Sequence, residues 1–388
     1  MNTKLIEKIT ARYKSKFGSE PQVLVYAPGR INLLGEHTDY NEGFVLPGAI
    51  DKAIYIAMGK CETTSSTVFS IDFNEEDTFL AQDNITRGNK GWSNYIRGVV
   101  KQMFNRNVKM GQFQAVFSGD IPVGSGLSSS AALECGFGHA FNQLFVGNLS
   151  KMDLAFAGQA AEHEFTGVKC GIMDQFASVF GGENQVIQLD CRSMEYKHHP
   201  LDLGNHELIL FNSMVHHELA SSEYNTRREQ CEEGVEALSK YVNPEIKSLR
   251  DATLNDLKKI KEKVHTKTYD RCRYIIEENK RVETIIDALH QNDLTKVGKI
   301  MRETHEGLSK LYEVSCDELD YLIALIDKEE AVLGGRMMGG GFGGCTINLI
   351  PKEISESITA KITDAYYKKY HKNIEVYRVS LSEGVRVI

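Results

Sequence analysis

Apolar positions recur along the chain with two periods, and the switch between them lays out its elements. Leu5, Ile6, Ile9, Tyr13 and Phe17 fall on one helical face, so residues 3–17 are expected to form an amphipathic helix. Strand-like runs follow at Val23–Tyr26, Ala53–Met58 and Phe113–Phe117. A helix is expected after the Gly/Ser run at 124–130, and another from Lys151 to about Phe165. Strands at Gln185–Leu189 and Leu208–Phe211 bracket an expected boundary near residues 190–205. The stretch from Tyr224 to Ile326 reads as several charged helices with Glu/Lys outer faces, interrupted at Asn243-Pro244. A glycine-rich segment, a strand at Thr346–Leu349, a helix near Ser355–Tyr370 and strands to Ile388 close the chain. There is no internal repeat. The expectation is an α+β protein of two lobes, residues 1–195 and 196–388.

A length of 388 residues suits two or more cores, and 41% hydrophobic with 25% charged residues is a soluble balance. No apolar run is long enough to span a bilayer, and the first residues lack the apolar core of a signal peptide. No membrane partner is therefore expected. Eight cysteines without CxxC pairs read as reduced thiols, which points to the cytoplasm. A net charge of −8 argues against a nucleic-acid partner but not against one nucleotide, which needs only a local anion site.

Residues 122–134 read Pro-Val-Gly-Ser-Gly-Leu-Ser-Ser-Ser-Ala-Ala-Leu-Glu, between an expected strand and an expected helix. Glycines free backbone N–H groups to face an anion, and the helix behind adds its positive end. Gly124, Ser125, Gly126, Leu127, Ser128, Ser129 and Ser130 are thus candidates for holding phosphate, the last three through hydroxyls. A serine-capped helix after a turn is the plainer alternative. GxxxxGK[ST] does not occur, so the chain is not a P-loop NTPase.

Residues 28–47 concentrate Arg30, Asn32, Glu36, His37, Thr38 and Asp39 among glycines and apolar residues. Carboxylates that accept from hydroxyls, beside an arginine able to hold a phosphoryl oxygen, suit a polyol undergoing phosphorylation. A loop of turn formers would look partly similar. A metal site on Glu36, His37 and Asp39 lacks a second His or Cys at ligand spacing.

Three separated segments resemble the galactokinases, within the GHMP family of small-molecule kinases: Gly29–Asn41, Pro122–Glu134 and Gly335–Cys345. Ala161-Glu162-His163, Cys170 through Gln175, and Leu219–Arg228 match as well, in the family's order. The resemblance implies a two-lobed GHMP kinase fold with mixed sheets and helical layers, and an active site in the cleft between lobes. It implies ATP-dependent phosphorylation of galactose at C1, with Mg²⁺ as cofactor, the first committed step of galactose catabolism. A monomer is expected. By the same resemblance Asp174 is the general base and Arg30 steadies the transferring phosphoryl group. Ser130 and Glu162 hold Mg²⁺, residues 124–130 hold the nucleotide, and Trp92 lies near adenine. Glu36, His37, Thr38, Asp39, Gly171 and Tyr224 contact the sugar.

Taken singly, Glu162 could be a solvated helix charge and Asp174 a helix cap. Met338 and Gly335 depart from the family's third motif and leave open how that segment lies against the substrates. Cys170 and Cys345 read as packing residues, and the His198-His199 and His216-His217 pairs as exposed. Another sugar kinase of the family, or a non-catalytic galactose and ATP sensor, would share much of this pattern.

Overall fold

The computed structural model describes every residue except Val123 and residues 216–219, so the His216-His217 pair lies outside the described residues. Its strands are β1 (Val23–Asn32), β2 (Phe44–Val45), β3 (Pro47–Lys60), β4 (Ser66–Ser70), β5 (Glu75–Phe79), β6 (Phe113–Gly119), β7 (Gln185–Asp190), β8 (Tyr196–Pro200), β9 (His206–Asn212), β10 (Gly334–Met337), β11 (Cys345–Pro351), β12 (Glu375–Val379) and β13 (Arg386–Val387). They form a six-stranded sheet in the order β13-β1-β3-β6-β4-β5, a four-stranded sheet β10-β11-β9-β12 and a three-stranded sheet β2-β7-β8. Among the described residues, only β4 and β6 pair in parallel.

The opening helix α1 (Thr3–Phe17) follows its apolar face. Ile9 and Tyr13 are buried, with Leu5, Ile6 and Phe17 packed around them against Tyr26, Tyr55 and Val116. Helices α2 (Gly91–Asn105), α3 (Ser129–Leu144), α4 (Lys151–Phe165) and α5 (Met173–Phe180) follow. Of these, α3 and α5 lie on β1 and β3, while α2 and α4 pack together beside α3. A reciprocal cap between Ser150 and Asp153 starts α4, satisfying backbone donors that the first turn leaves unpaired. The second half holds α6 (Ala220–Tyr241), α7 (Leu254–Lys259), α8 (Thr266–His290), α9 (Leu294–Glu306), α10 (Asp317–Ile326) and α11 (Ser355–Tyr370).

The main core runs from the first sheet into the second, through Val25, Ile56, Phe137, Phe176, Leu210 and Ile347. Fully burying a side chain such as Phe137 contributes about 1.5–3 kcal/mol. A second core lies under α6 and α8, around Leu238, Tyr274, Ile275 and Tyr312.

The chain crosses between its halves more than once. Residue 196 begins β8, which pairs with β7 from Gln185↔Pro200 to Leu189↔Tyr196. The last strand, β13, returns to the first sheet through Val25↔Val387. His199 corrects the expectation of an exposed pair: it is 6% exposed, with Nδ1 against His290 Nε2 (2.9 Å) and Nε2 against Gln188 Oε1 (3.0 Å). It sits on the inward face of β8, where the end of α8 covers it. No helix of the described residues is long and apolar enough to cross a membrane.

Candidate active site

The antiparallel pairing of β1 and β3 slips between Pro28 and Arg30, and this irregularity aims the motif around residue 30. A side chain at Gly29 would meet the Leu127 carbonyl at 2.6 Å, so glycine lets β1 approach the Gly/Ser loop. Arg30 N–H donates to Leu127 O (3.1 Å) and its Nη1 to Gly126 O (2.6 Å). The same guanidinium donates through Nε to Asp174 Oδ1 (2.8 Å), in the first turn of α5. Asp174 Oδ2 accepts from Ser128 Oγ (2.6 Å). Ser128 does stand at the head of α3, but in left-handed backbone (φ 58°) and without a side-chain cap. Its hydroxyl serves Asp174 in place of a helix amide.

A cavity of about 170 Å³ opens beside this pair. It is lined by Arg30, Glu36, His37, Asp39, Glu162, Val168, Cys170, Gly171, Met173, Asp174, Tyr224, Gly339 and Gly340. Residues from five of the matching segments and from both halves of the chain therefore meet in one place, while the Gly/Ser loop reaches it through Ser128 and Gly126. Two larger grooves, of about 600 and 750 Å³, contain none of the predicted site residues.

Glu36 is 1% exposed, held by Arg336 (Nη1 to Oε1, 3.1 Å) and by the Gly339 amide (2.7 Å). Its Oε2 has no partner among the described residues, which leaves an acceptor for a ligand. Burial raises its pKa, and the Arg336 charge opposes the rise. Burial pushes His37 down to about 3, against a smaller pull from the Gly340 backbone. Asp39 is pushed up to about 7, first by burial and then by the Asp174 charge. A side chain at Gly171 would fall 1.8 Å from Asp39 Oδ2, so this glycine makes room for the carboxylate. Thr38 does not reach the cavity: it is fully buried, and its hydroxyl donates to Gly35 O (2.9 Å) and Phe44 O (2.6 Å).

Glu162 is 8% exposed on α4 and accepts from Gln175 Nε2 (2.8 Å) and the Ser130 hydroxyl. No cation pairs with it among the described residues, and burial followed by the Asp174 charge raises it to about 7. A buried carboxylate beside a serine hydroxyl, without a cationic partner, fits a hard divalent ion that takes few protein ligands. Ser130 also lines a second cavity, of about 250 Å³, with Ser129, Trp92, Tyr95, Phe73, Phe117 and Leu133. This largely apolar hollow lies at the head of α3, and the Ser130 hydroxyl on its wall reaches Glu162 on the wall of the first cavity. Ser125 is buried with its hydroxyl on Pro122 O (2.7 Å), so the loop offers its backbone there. The glycine-rich third segment lies against the loop, with Met338 O and Gly339 facing Gly126, and Gly344 facing Ser125 O. Met338 itself packs into the main core, and Gly335 leaves room for Asn348 Oδ1.

Cys170 corrects the reading as a packing residue, because it lines the cavity and its Sγ donates to Glu162 Oε2 (3.5 Å). Other contributors were not assigned roles from sequence. Arg336, fully buried, ties Glu36 to the carbonyls of Leu33 and Asn32. An arginine inside an apolar strand was its one signal. Glu134, equally buried on α3, shares Gln175 Nε2 with Glu162 (3.0 Å). From α8, Glu278 accepts the Gly35 amide (2.8 Å), and Tyr274 O–H donates to Glu36 O (3.1 Å). These reach the site only through tertiary packing.

A Gly/Ser loop at a helix head, an Arg–Asp ion pair beside it and a second glycine-rich segment against the loop point to the GHMP class of small-molecule kinases. The GHMP kinases N terminal domain model matches residues 94–182 and the GHMP kinases C terminal model residues 285–368. A mevalonate kinase structure shares the fold at 18% identity (TM-score 0.67, 93% of this chain, 100% of that one). The galactokinase galactose-binding signature matches residues 11–60. A galactokinase of Thermosipho africanus is 40% identical over 94% of this chain and 99% of its own. One of Haemophilus influenzae is 39% identical over 95% of each. The crystal structure of Lactococcus lactis galactokinase complexed with galactose superposes with a TM-score of 0.94 at 29% identity, covering 98% of this chain and 99% of that one. The chain belongs to the galactokinase family.

Proposed function

We propose that this kinase moves the γ-phosphoryl group of ATP onto the C1 hydroxyl of galactose, giving galactose 1-phosphate and ADP. The observation that carries the reading is the single guanidinium of Arg30, bonded both to the nucleotide loop at Gly126 and to Asp174. One group thus links the donor and acceptor sides. Asp174 takes the proton from the C1 hydroxyl as that oxygen attacks the γ-phosphorus, and ADP leaves. Arg30 steadies the charge on the transferring group, since phosphoryl transfer depends mainly on positioning and electrostatics. Gly124 to Ser130 cradle the phosphates, and Trp92 borders the base. Ser130 and Glu162 hold Mg²⁺, which supplies charge against the phosphate oxygens when bound. Glu36, His37, Asp39, Gly171 and Tyr224 surround the sugar; Thr38 supports their loop. Two lobes, a monomer and a cytoplasmic setting with reduced thiols belong to the same reading.

The test is ADP release with galactose, glucose, N-acetylgalactosamine and mevalonate, followed by phosphorus NMR of the product. Galactose is expected to be preferred over glucose by about tenfold or more in kcat/KM, because a misdirected hydroxyl leaves a buried carboxylate unpaired. Equal rates with glucose, or a phosphate on C6, would refute the substrate. ATP binding without any turnover would point to a sensor.

A further inference from the structure

We propose that Tyr40 is a positioning residue for His37, its hydroxyl keeping Nδ1 bare so that the imidazole proton sits on Nε2. Nε2–H then serves as a hydrogen-bond donor to a sugar hydroxyl. The proposal rests on the reading of this cavity as the galactose site.

A line of four groups ends at His37. Cys231 Sγ lies 3.3 Å from Tyr312 O–H, which lies 2.8 Å from Tyr40 O–H, which lies 2.8 Å from His37 Nδ1. The His37 ring is packed against Tyr224 and Tyr312, with centroids 5.3 and 4.8 Å away. Burial keeps it neutral, and it therefore carries one proton for two nitrogens.

The line can run in two directions. If Nδ1–H donated to Tyr40, each phenol proton would pass down the line and the last would fall on sulfur, a weak acceptor. The thiol proton would then gain nothing from the line. In the opposite direction Cys231 S–H donates to Tyr312, Tyr312 to Tyr40, and Tyr40 to the strong imidazole acceptor. Every proton in the line is used, and the strongest acceptor receives a phenol O–H. The remaining imidazole proton must then sit on Nε2, which makes no well-aligned hydrogen bond among the described residues, although the Gly340 backbone lies against the ring.

The cavity has a use for such a donor. Its walls carry the acceptors Glu36, Asp39, Glu162 and Asp174. A sugar hydroxyl that donates to one of these keeps lone pairs that need a donor in return. Tyr40 also gives its backbone amide to Asp39 Oδ1 (3.0 Å), so one residue orients a donor and an acceptor of the same wall.

The experiment is NMR of the full chain labelled with ¹⁵N-histidine, with His37 assigned by its loss in His37→Gln. The expected wild-type signature is a protonated Nε2 and a bare Nδ1. In Tyr40→Phe the signature should shift toward Nδ1–H or a mixture. Galactose KM should rise about tenfold while kcat and ATP KM stay within about twofold, the scale of one lost hydrogen bond. A wild-type proton on Nδ1, or a Tyr40→Phe protein with an unchanged His37 signature or wild-type galactose KM, overturns the proposal. The wild-type spectrum decides the tautomer even if the variant does not fold. A wild-type protein that releases no ADP with galactose would instead refute the substrate reading, which the spectrum does not touch.

Discussion

Arg30 and Asp174, 144 residues apart in sequence, meet in a charged hydrogen bond of 2.8 Å, with the arginine 4% exposed. Ser128 closes the carboxylate's other oxygen. The pair is held rigidly because Arg30 is also tied through its backbone and Nη1 to the loop. Asp174→Asn should fold and bind galactose but turn over at least about a hundredfold more slowly, the lower range for a lost acid–base group. Turnover near wild type would remove Asp174 as the base. Arg30→Lys should be damaging too, since one ammonium cannot serve Asp174 and Gly126 in the geometry of a planar fork.

Glu162 has a buried carboxylate with no cation beside it among the described residues. Glu162→Gln keeps the bond to Gln175 within reach but lacks the charge that would hold Mg²⁺. The Mg²⁺ concentration needed for half-maximal rate should rise by about tenfold or more, the range for a lost interaction with a charged group, while galactose binding without metal stays unchanged. Titration calorimetry separates the two. A wild-type Mg²⁺ requirement would take Glu162 out of the metal site.

Gly171 has no room for a methyl group, because its Cβ would lie 1.8 Å from Asp39 Oδ2. Gly171→Ala should displace that carboxylate, raising galactose KM strongly and leaving ATP KM nearly unchanged. Asp39→Ala should cost most of the galactose activity by the direct route, again sparing ATP. If either variant weakens ATP instead, the two substrates have been placed in the wrong cavities.

Asp39 also predicts a pH dependence of stability. Its carboxyl is raised from 3.8 to about 7, so the ligand-free native state keeps a proton that the unfolded chain releases. The linked stability is complete below about pH 4 and is lost as pH rises toward about 7. Asp39→Asn removes this loss. The melting temperature of the variant, relative to wild type, should therefore climb between those two pH values. A constant difference would show that Asp39 ionises normally in the native protein.

Much of the protein was legible in the chain itself. The apolar period placed α1 and α11 at their observed bounds, because an amphipathic helix writes its buried face locally. The Gly/Ser loop and the run around residue 30 announced anion and hydroxyl chemistry, because backbone freedom and carboxylate density are properties of neighbouring residues. What required the tertiary structure is every pairing between distant segments. Arg336 on Glu36, Glu278 on the Gly35 amide and Gln175 between Glu134 and Glu162 are each set by how sheets and helices pack. Cys170 and His199 show the same limit, since a side chain's surroundings depend on which element covers it. Local sequence determined which groups could do chemistry. Packing decided which of them meet, because burial and hydrogen-bond partners come from residues far away along the chain.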